Sequence, residues 1–404
     1  MAESLPSLVE PFRGERYAAA GRLSNRIAPP YDVITPDERA RLAARSEQNI
    51  VHLTLPAGDG EARYQHAAEV LASWRRAHVL VRDDEQSVYV VQQEFRTPDG
   101  KTHFRTGVIG GVYIEPYGER VKPHEKTHAE PKADRLALTR ATEAMMEALF
   151  FLTRDDAGEL LRLLHAACRQ DPAAVAELDG TAVGVWRVGG DKGREIARVA
   201  GSGALYLADG HHRYETAVAY REENPHAARI PGLIVPIRDP GLVVLPTHRI
   251  VTGAPLARPV LDTLGEGAQE THDIANPELT VPLLRELGEE GPACVVVLPD
   301  GSRRAWLFAP DRERPGIAVI EDAVVDPLRR AAGTNASVRF TPSDADALAA
   351  ARTQGAATVL VNATPVEEVL DLADRGGIMP SKSTYFLPKV PAGLVLMDFR
   401  DADA

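Results

Sequence analysis

Cysteine and long hydrophobic runs are scarce in this sequence, and each shortage excludes a class of protein. The 404 residues include only two cysteines, Cys168 and Cys294, so we expect neither a disulfide framework nor a cysteine-built metal site. The low count also favours a reducing, cytoplasmic setting. No apolar run approaches the about 18 residues that a membrane-spanning helix needs. The N-terminus lacks a basic start followed by an apolar stretch, so we expect no secretory signal.

Positive charge is in deficit as well. The chain has 46 Lys and Arg residues against 58 Asp and Glu residues, which gives a net charge of −12. An acidic chain is poorly suited to bind nucleic acid or an anionic membrane, so we expect neither partner. Apolar residues make up 44% and charged residues 26%, a balance typical of a globular protein. The length predicts two or three domains.

Lysine is scarce compared with arginine. Only seven of the 46 basic residues are Lys: Lys101, Lys122, Lys126, Lys132, Lys192, Lys382 and Lys389. Three lie within 122–132 and two within 382–389. A compact ammonium retained in a chain that otherwise uses arginine indicates a task that guanidinium cannot perform. We therefore expect both segments to line an anion site.

The common nucleotide-binding glycine motifs are absent. The sequence has no G-x-x-x-x-G-K-S/T loop, and Gly201-Ser202-Gly203 precedes a strand instead of following one. Ordinary P-loop and dinucleotide-binding domains are therefore excluded.

Alternating helix and strand patterns predict an α/β or mixed α+β fold. We expect helices over 36–46 and 61–76, a hairpin of strands at 87–95 and 101–115, a helix over 133–152 and a helical insert near 155–200 that includes a strand at 184–189. The segment 242–251 is predicted as one strand. Domain boundaries are placed near 115 and 253, which divides the chain into 1–115, 116–252 and 253–404.

The strand–turn–helix pattern at 205–223 carries the strongest functional signal. A short apolar strand runs into Asp209-Gly210-His211-His212-Arg213, where a helix begins. Gly210 permits a tight turn, and the first helical turn presents N–H groups and the positive end of the helix dipole. Arg213 and two imidazoles add donors, so the pattern predicts a phosphate cradle. Asp209 could hold Mg²⁺ or orient a hydroxyl.

The polar segment 122–132 contains His124-Glu125-Lys126-Thr127-His128, which matches the H-E-x-x-H pattern of zinc proteases. That pattern needs both His residues on one face of an established helix. Pro123 and Pro131 leave at most two helical turns, so a zinc hydrolase is the weaker alternative.

Two further segments offer anion contacts. His248 and Arg249 lie in or at the end of a strand and could face a cleft. Lys382 is surrounded by hydroxyl side chains, among them Ser383 and Thr384, which suits a second phosphate contact.

Several motifs in order resemble the domain-of-unknown-function family numbered 1015. They are "FRGERY", "IAPPYDVI", "KPHEKTHAEPKADR", "YLADGHHRYETA", "LPTHRI" and "MPSKSTYFLPK". The Asp-Gly-His-His-Arg element also resembles the phosphate-binding box of the ParB/sulfiredoxin-like fold, on which free-serine kinases are built. The resemblance implies such a core at 116–252, an N-terminal α/β region and a C-terminal α/β extension whose final segment, 380–400, returns to the active site.

The resemblance also implies an activity: a Mg²⁺-dependent kinase that makes O-phospho-L-serine from free L-serine. The donor in such enzymes is ADP, ATP or pyrophosphate, and the density of cations slightly favours pyrophosphate. The His-His-Arg box falls on His211, His212 and Arg213. Free-serine kinases also have a Lys-Pro-His-Glu-type loop upstream of this box, and it falls on His124 and Glu125.

The resulting interpretation is a cytoplasmic phosphotransferase, a monomer or a homodimer, acting on a small hydroxyl compound. Its expected catalytic residues are Glu125, Asp209 and His211, with either Glu125 or Asp209 accepting the hydroxyl proton and Asp209 as a Mg²⁺ ligand. The expected donor contacts are Gly210, His211, His212, Arg213, Lys126, Thr127, Lys132, Arg249, Lys382, Ser383 and Thr384. The expected substrate contacts are His124, His128 and His248. The alternative from another class is a ParB-like nucleotide-binding switch, whereas sulfiredoxin-like repair is disfavoured because no cysteine lies near the box.

Overall fold

A computed structural model describes residues 7–18, 23–125 and 129–400, except the side chains of 129–131. The chain forms two compact units. The first unit comprises Met1–Pro123, Thr127–Val243 and Pro388–Ala404, and the second comprises His124–Lys126 and Val244–Leu387.

The first unit contains short and long strands interleaved with helices. Its strands are β1 (Val9–Glu10), β2 (Glu15–Tyr17), β3 (Leu80–Arg82), β4 (Ser87–Arg96), β5 (Thr102–Tyr113), β6 (Val121–Lys122), β7 (Ala144–Met145), β8 (Leu149–Thr153), β9 (Ala174–Leu178), β10 (Thr181–Gly189), β11 (Leu205–Asp209), β12 (Arg229–Pro236) and the last strand of the chain, Met397–Asp398, which pairs with β7. Its helices are α1 (Pro36–Arg45), α2 (Val51–Thr54), α3 (Ala62–Arg76), α4 (Ala129–Thr142), α5 (Glu159–Ala167), α6 (Gly190–Ala200) and α7 (His211–Glu223).

One large mixed sheet organises the first unit. Its strand order is β6-β11-β8-β12-β5-β4-β10-β9, and β1 pairs with β5 at the side of this path. The pairs β11–β6 and β12–β8 are parallel, whereas the β4–β5 hairpin and its neighbours are antiparallel. Because β4 and β5 share this sheet with β8, β11 and β12, residues 87–113 fold with the segment placed after 115. The compact units therefore differ from the division at 115 and 253 that the sequence suggests.

The second unit contains the strands β13 (Val243–Leu245, whose first residue belongs to the first unit), β14 (His248–Thr252), β15 (Ala268–Asp273), β16 (Ala293–Val297), β17 (Arg303–Phe308), β18 (Ser337–Thr341), β19 (Ala357–Val361) and β20 (Tyr385–Leu387). Its helices are α8 (Thr280–Glu290), α9 (Gly316–Ile320), α10 (Asp326–Ala331), α11 (Asp344–Thr353) and α12 (Val366–Asp374). Six strands form an antiparallel sheet in the order β15-β17-β16-β19-β14-β18.

The mixed α/β class is confirmed, and so are the elements with the clearest local signals. Helix α1 begins after Thr35, whose side chain accepts from the Glu38 N–H in a capping box with Pro36 in the first turn. Strands β4 and β5 form the hairpin expected around residues 97–101.

The helix expected over 133–152 is wrong in its second half. Helix α4 ends at Thr142, and Glu143 takes a left-handed backbone with φ of 50°. Such a residue terminates an α-helix. The apolar residues that follow form β8, whose five residues are all buried in the sheet. A short apolar run buried on both faces has neither helical nor strand periodicity.

Two other sequence expectations are corrected. In the segment 155–200 the strand expected at 184–189 is confirmed as part of β10, but β9 precedes it, α6 follows it, and both strands extend the large sheet. The single strand expected over 242–251 is split into β13 and β14, which belong to different sheets. Pro246 lies at the break, where it lacks the N–H that a continuous ladder needs. Among the described helices, none combines the length and apolar character that crossing a bilayer requires.

Aromatic packing holds α7 against the large sheet. Tyr214 is fully buried; its ring meets Phe151 of β8 edge-on at 6.1 Å and stacks on Tyr117 at 5.2 Å. The Tyr214 hydroxyl donates to the backbone oxygen of Glu115 at 2.7 Å. A buried aromatic side chain with its hydroxyl satisfied fixes a helix rigidly, so the beginning of α7 has a defined position at the end of β11.

Candidate functional site

The turn from β11 into α7 is the centre of the candidate site, and the strand–turn–helix expected there is confirmed. Gly210 lies between the two elements with φ of +96°, a backbone conformation that residues other than glycine rarely adopt. A Cβ on Gly210 would approach the Arg213 guanidinium to 3.0 Å. Glycine therefore lets the chain reverse direction while Arg213 packs directly beneath the turn.

Asp209 lies between two cations at the end of β11. Its Oδ1 accepts from the Lys389 Nζ at 3.1 Å, and its Oδ2 lies 3.4 Å from the Arg213 Nη2. Burial alone would raise the pKa of Asp209, but the charges of Lys389 and Arg213 outweigh it and lower this pKa to about 2. Asp209 is therefore an ionised anchor for both cations.

Arg213 is also paired with a second carboxylate, that of Glu147. The Arg213 Nη1 lies 3.4 Å from the Glu147 Oε2, and both side chains are more than nine-tenths buried. Glu147 accepts the backbone N–H of Tyr31 through Oε1 at 3.0 Å. Burial raises the pKa of Glu147 even though Arg213 and Arg135 act to lower it. Arg213 is thus clamped between Asp209 and Glu147, which fixes its orientation.

The segment Pro29-Pro30-Tyr31-Asp32 supports this clamp from the N-terminal part of the chain. The Tyr31 ring lies under the Arg135 guanidinium at 4.2 Å, a cation–π contact. Arg135 in turn donates to the Thr54 oxygen at 2.6 Å. A small cavity of about 30 Å³ lies here, lined in part by Glu147 and Arg213. The double-proline turn is therefore architecture that positions Glu147.

The remaining residues expected at this turn lie on helices of the same unit. His211 is buried and His212 is half-buried, and both follow Gly210 in the first turn of α7. The positive charge of His211 contributes to the low pKa of Asp209. Lys132, on α4, forms an ion pair with Glu215 of α7. That contact joins the two helices. Binding of a phosphoryl donor by Lys132 stays a prediction.

Other expected residues come together in the second unit. The backbone oxygen of His124 accepts from Met379, and its Nε2 lies 3.1 Å from the Thr384 Oγ1. Glu125 accepts the backbone N–H of Lys382 through Oε1 at 3.1 Å.

The loop around Lys382 has an unusual backbone. Lys382 has φ of 58°, a left-handed conformation that is uncommon for a residue with a side chain. Ser383 is buried and donates to the Pro380 oxygen at 2.6 Å. The structure thus brings His124, Glu125, Lys382, Ser383 and Thr384 into one cluster.

His248 and Arg249 are fully buried on β14 of the second unit. The His248 Nε2 lies 2.7 Å from the Asp344 Oδ1, and its Nδ1 accepts the Val361 N–H at 3.2 Å. Arg249 donates from Nε to Glu321 at 2.8 Å. Both side chains serve the packing of their own unit, so contact with an anion would require these bonds to be exchanged.

Three expected contacts, Lys126, Thr127 and His128, lie outside the described residues. Their neighbours bear on the zinc alternative, because His124 and Glu125 are not helical and Glu125 forms a bridge to Met379. Within the described parts of the chain, no group of three or more His, Cys, Asp or Glu residues could hold a metal ion. The helix that a zinc protease needs is therefore not formed at 124–125.

The same donor set bears on magnesium. Both oxygens of Asp209 are engaged by Lys389 and Arg213, and within the described residues Asp209 belongs to no group of three or more His, Cys, Asp or Glu residues that could hold a metal ion. The role of Asp209 as a Mg²⁺ ligand stays a prediction. Magnesium bound by one carboxylate usually shares substrate phosphates, so any Mg²⁺ in this site would arrive with a donor.

Two residues of this region were not assigned to the phosphate site from the sequence. Glu147 lies in a run whose pattern predicts a helix, and Arg105 lies on a strand far from the motif. Lys389 was expected only as part of the segment 382–389, which should line an anion site, and was given no individual role. Its contact with Asp209 follows from the structure, in which 388–400 belong to the first unit.

Comparisons with known proteins give a family and several distant structures. A family model described as "Protein of unknown function (DUF1015)" matches residues 9–329. No curated protein matches the chain. A free serine kinase in complex with AMP is similar at 15% identity and a TM-score of 0.40, over 72% of this chain and 90% of that chain. A conserved hypothetical protein from Pyrococcus furiosus has 15% identity and a TM-score of 0.39, over 72% of this chain and 100% of that chain.

A C-terminally truncated SbnI from Staphylococcus aureus is similar at 10% identity and a TM-score of 0.39, over 70% of this chain and 85% of that chain. At such identities and scores, the activities of these proteins do not transfer to this chain.

Proposed function

This chain belongs to the DUF1015 family, and we propose that it is a phosphotransferase that phosphorylates the hydroxyl of free L-serine. One observation carries the proposal: the Asp209-Gly210-His211-His212-Arg213 turn begins a helix whose first residues are flanked by two oriented cations. Arg213 is held by Asp209 and Glu147, and Lys389 is held by Asp209. Fixed cations beside a helix N-terminus suit a phosphate group.

The proposed reaction moves one phosphoryl group from the donor to the serine hydroxyl. The bond between the terminal phosphorus and its bridging oxygen breaks, and a bond from the serine Oγ to phosphorus forms. The bridging oxygen leaves with phosphate from pyrophosphate, with AMP from ADP or with ADP from ATP. The serine hydroxyl proton passes to a carboxylate. Such transfers depend mainly on positioning and on cations that neutralise the phosphoryl oxygens.

The identity of the proton acceptor is part of the proposal. Asp209, with a pKa of about 2, is a weak base while Lys389 and Arg213 hold it. We therefore assign the base to Glu125 and the electrostatic anchor to Asp209. Glu125 has one oxygen engaged by the Lys382 N–H, which would orient the other oxygen.

We propose pyrophosphate as the donor, with Mg²⁺ bound to its oxygens as part of the substrate. Arg213 and Lys389 supply two positive charges close together beside Asp209, and the sequence has no glycine-rich nucleotide loop. ADP and ATP are the competing donors.

A phosphoryl-transfer screen tests this function. L-serine is incubated with Mg²⁺ and each of pyrophosphate, ADP and ATP, and O-phosphoserine is measured by mass spectrometry, with D-serine and L-alanine as controls for stereochemistry and for the hydroxyl. The proposal expects product from L-serine with at least one donor and none from L-alanine. A folded chain that makes no product with any donor contradicts the proposal, and nucleotide binding without turnover would favour the switch class instead.

A further inference from the structure

Arg105 is a buried cation whose guanidinium is only partly hydrogen-bonded by the described residues. It lies on β5 and is 1% exposed. Its Nη2 donates to the Gln93 Oε1 at 2.5 Å, and its guanidinium lies 4.6 Å from the centre of the Phe150 ring. Its Nη1 is buried and has no hydrogen-bond partner among the described residues. A buried donor without a partner is rare in proteins and points to a missing ligand, water or ion.

The charge of Arg105 is also poorly compensated. Burial lowers its pKa to about 9, and the negative charges of Asp239 and Asp209 only partly oppose this effect. Asp239 is engaged elsewhere, because it accepts the backbone N–H groups of Thr106 and Gly241. An isolated buried guanidinium is costly, and an anion placed beside it removes much of that cost.

The position of Arg105 connects it to the candidate site. Arg105 and Gln93 lie opposite each other in the β4–β5 ladder, so their side chains share one face of the sheet. Gln93 donates to the backbone oxygen of Lys389 at 3.1 Å, and the Lys389 Nζ reaches Asp209. Phe150, beneath the Arg105 guanidinium, is the ladder partner of Asp209. The Arg105 guanidinium and the Lys389 ammonium therefore both lie beside Asp209.

We propose that Arg105 and Lys389 form an oxyanion site beside Asp209, which takes either the terminal phosphoryl group of the donor or the carboxylate of the acceptor. In the protein without ligand, the Lys389 ammonium pairs with Asp209. The Lys389 ammonium has three donors, so it can keep its contact with Asp209 and donate to a bound anion as well, while the Arg105 Nη1 gains its missing acceptor. A compact cation with several donors is what arginine does not offer, which explains why a chain rich in arginine keeps a lysine at this position. The inference deepens the proposed function, because it names the residues that would hold one charged end of a substrate.

Isothermal titration calorimetry tests this site without requiring turnover. Inorganic pyrophosphate and L-serine are titrated separately into the wild-type chain and into Lys389→Met and Arg105→Met variants. Loss of a charge-assisted hydrogen bond should weaken binding about tenfold to a hundredfold. Weaker binding of pyrophosphate in both variants assigns the site to the phosphoryl group, and weaker binding of L-serine assigns it to the carboxylate. Lys101→Met is the matched control, because Lys101 is exposed on the β4–β5 turn and should leave both affinities unchanged.

Folding of the variants is checked by the melting temperature with and without each anion. A purely structural role would lower the melting temperature and leave the anion-induced rise intact, whereas the proposal expects that rise to be lost. If Arg105→Met does not fold, Lys389→Met, at a half-buried position, decides alone. Unchanged affinities in both titrations, or a wild-type chain that binds neither compound, would overturn the site.

These results separate the inference from the proposed function. Affinities that depend on Arg105 and Lys389 in a chain that makes no O-phosphoserine would support the oxyanion site and reject the kinase. Formation of O-phosphoserine together with normal affinities in both variants would support the kinase and reject the oxyanion site.

Discussion

The ammonium of Lys389 lies 3.1 Å from a carboxylate oxygen of Asp209, although 180 positions separate the two residues in the chain. The same carboxylate pairs with Arg213 at 3.4 Å, and Arg213 pairs with the buried Glu147. An alternating row of charges therefore surrounds the turn that begins α7. Each ion pair in that row has a measurable consequence.

The backbone of the turn requires glycine. Gly210→Ala should destabilise the protein by about 1–2 kcal/mol, because an alanine in a left-handed conformation is strained and its Cβ would press on Arg213. Urea denaturation measures the change. Gly203→Ala is the matched control, since it lies just before β11 and a Cβ there meets nothing within 4 Å. Equal stability of the two variants would contradict the role given to Gly210.

Arg213 and Glu147 should be energetically coupled. Arg213→Met alone leaves the Glu147 carboxylate buried without its partner, which costs about 3–5 kcal/mol. Adding Glu147→Gln should recover part of that loss, so a double-mutant cycle in urea should give a coupling of about 1–3 kcal/mol. Additive effects of the two substitutions would mean that the ion pair contributes nothing to the clamp.

Acid should weaken the contribution of Asp209. Its pKa is about 2 in the folded chain and about 3.9 in an unfolded one, so its stabilisation is complete above about pH 4 and is lost as the pH falls toward 2. Asp209→Asn should therefore cost about 2–3 kcal/mol at neutral pH, and this cost should shrink below pH 4. Unfolding free energies across this range measure it. The exposed Asp171→Asn is the control, and a cost for Asp209→Asn that does not vary with pH would contradict the low pKa.

The sequence predicts the centre of this arrangement and misses its support. The local pattern of residues 205–223 is enough to predict an apolar strand, a glycine turn and a helix, because all three lie in one continuous segment. Glu147 could not be found this way, because the apolar residues that follow it form a strand buried on both faces and show no period. Arg105 lies near the turn because β5 pairs within the large sheet, and Lys389 lies there because the C-terminal segment packs in the first unit. No local sequence pattern predicts either long-range contact.

The long-range pairing of β5 is not recognisable from the sequence for the same reason. The β4–β5 hairpin is recognisable from its turn, but nothing within residues 87–113 indicates that β5 pairs with β12, more than a hundred residues later. Pro246 is visible in the sequence, and it divides the strand expected over 242–251 because it cannot donate to a ladder. The ParB/sulfiredoxin-like core and the roles of the individual site residues stay predictions.

Two carboxylates compete for the role of base, and kinetics separates them. If Glu125 accepts the serine proton, Glu125→Gln should lower kcat by about 10²–10⁴ with little change in donor affinity. Asp209→Asn should instead weaken donor binding, because Lys389 and Arg213 lose their anchor. A large loss of kcat in Asp209→Asn together with a raised serine KM in Glu125→Gln would reverse the assignment.

The central claim is that this chain transfers a phosphoryl group to L-serine. The most direct measurement follows wild-type protein, L-serine, pyrophosphate and Mg²⁺ by ³¹P NMR. The account predicts that the pyrophosphate resonance decays while the phosphomonoester resonance of O-phosphoserine and that of inorganic phosphate grow in equal amounts. A spectrum that stays unchanged with pyrophosphate, and also when ADP or ATP replaces it, would contradict the claim.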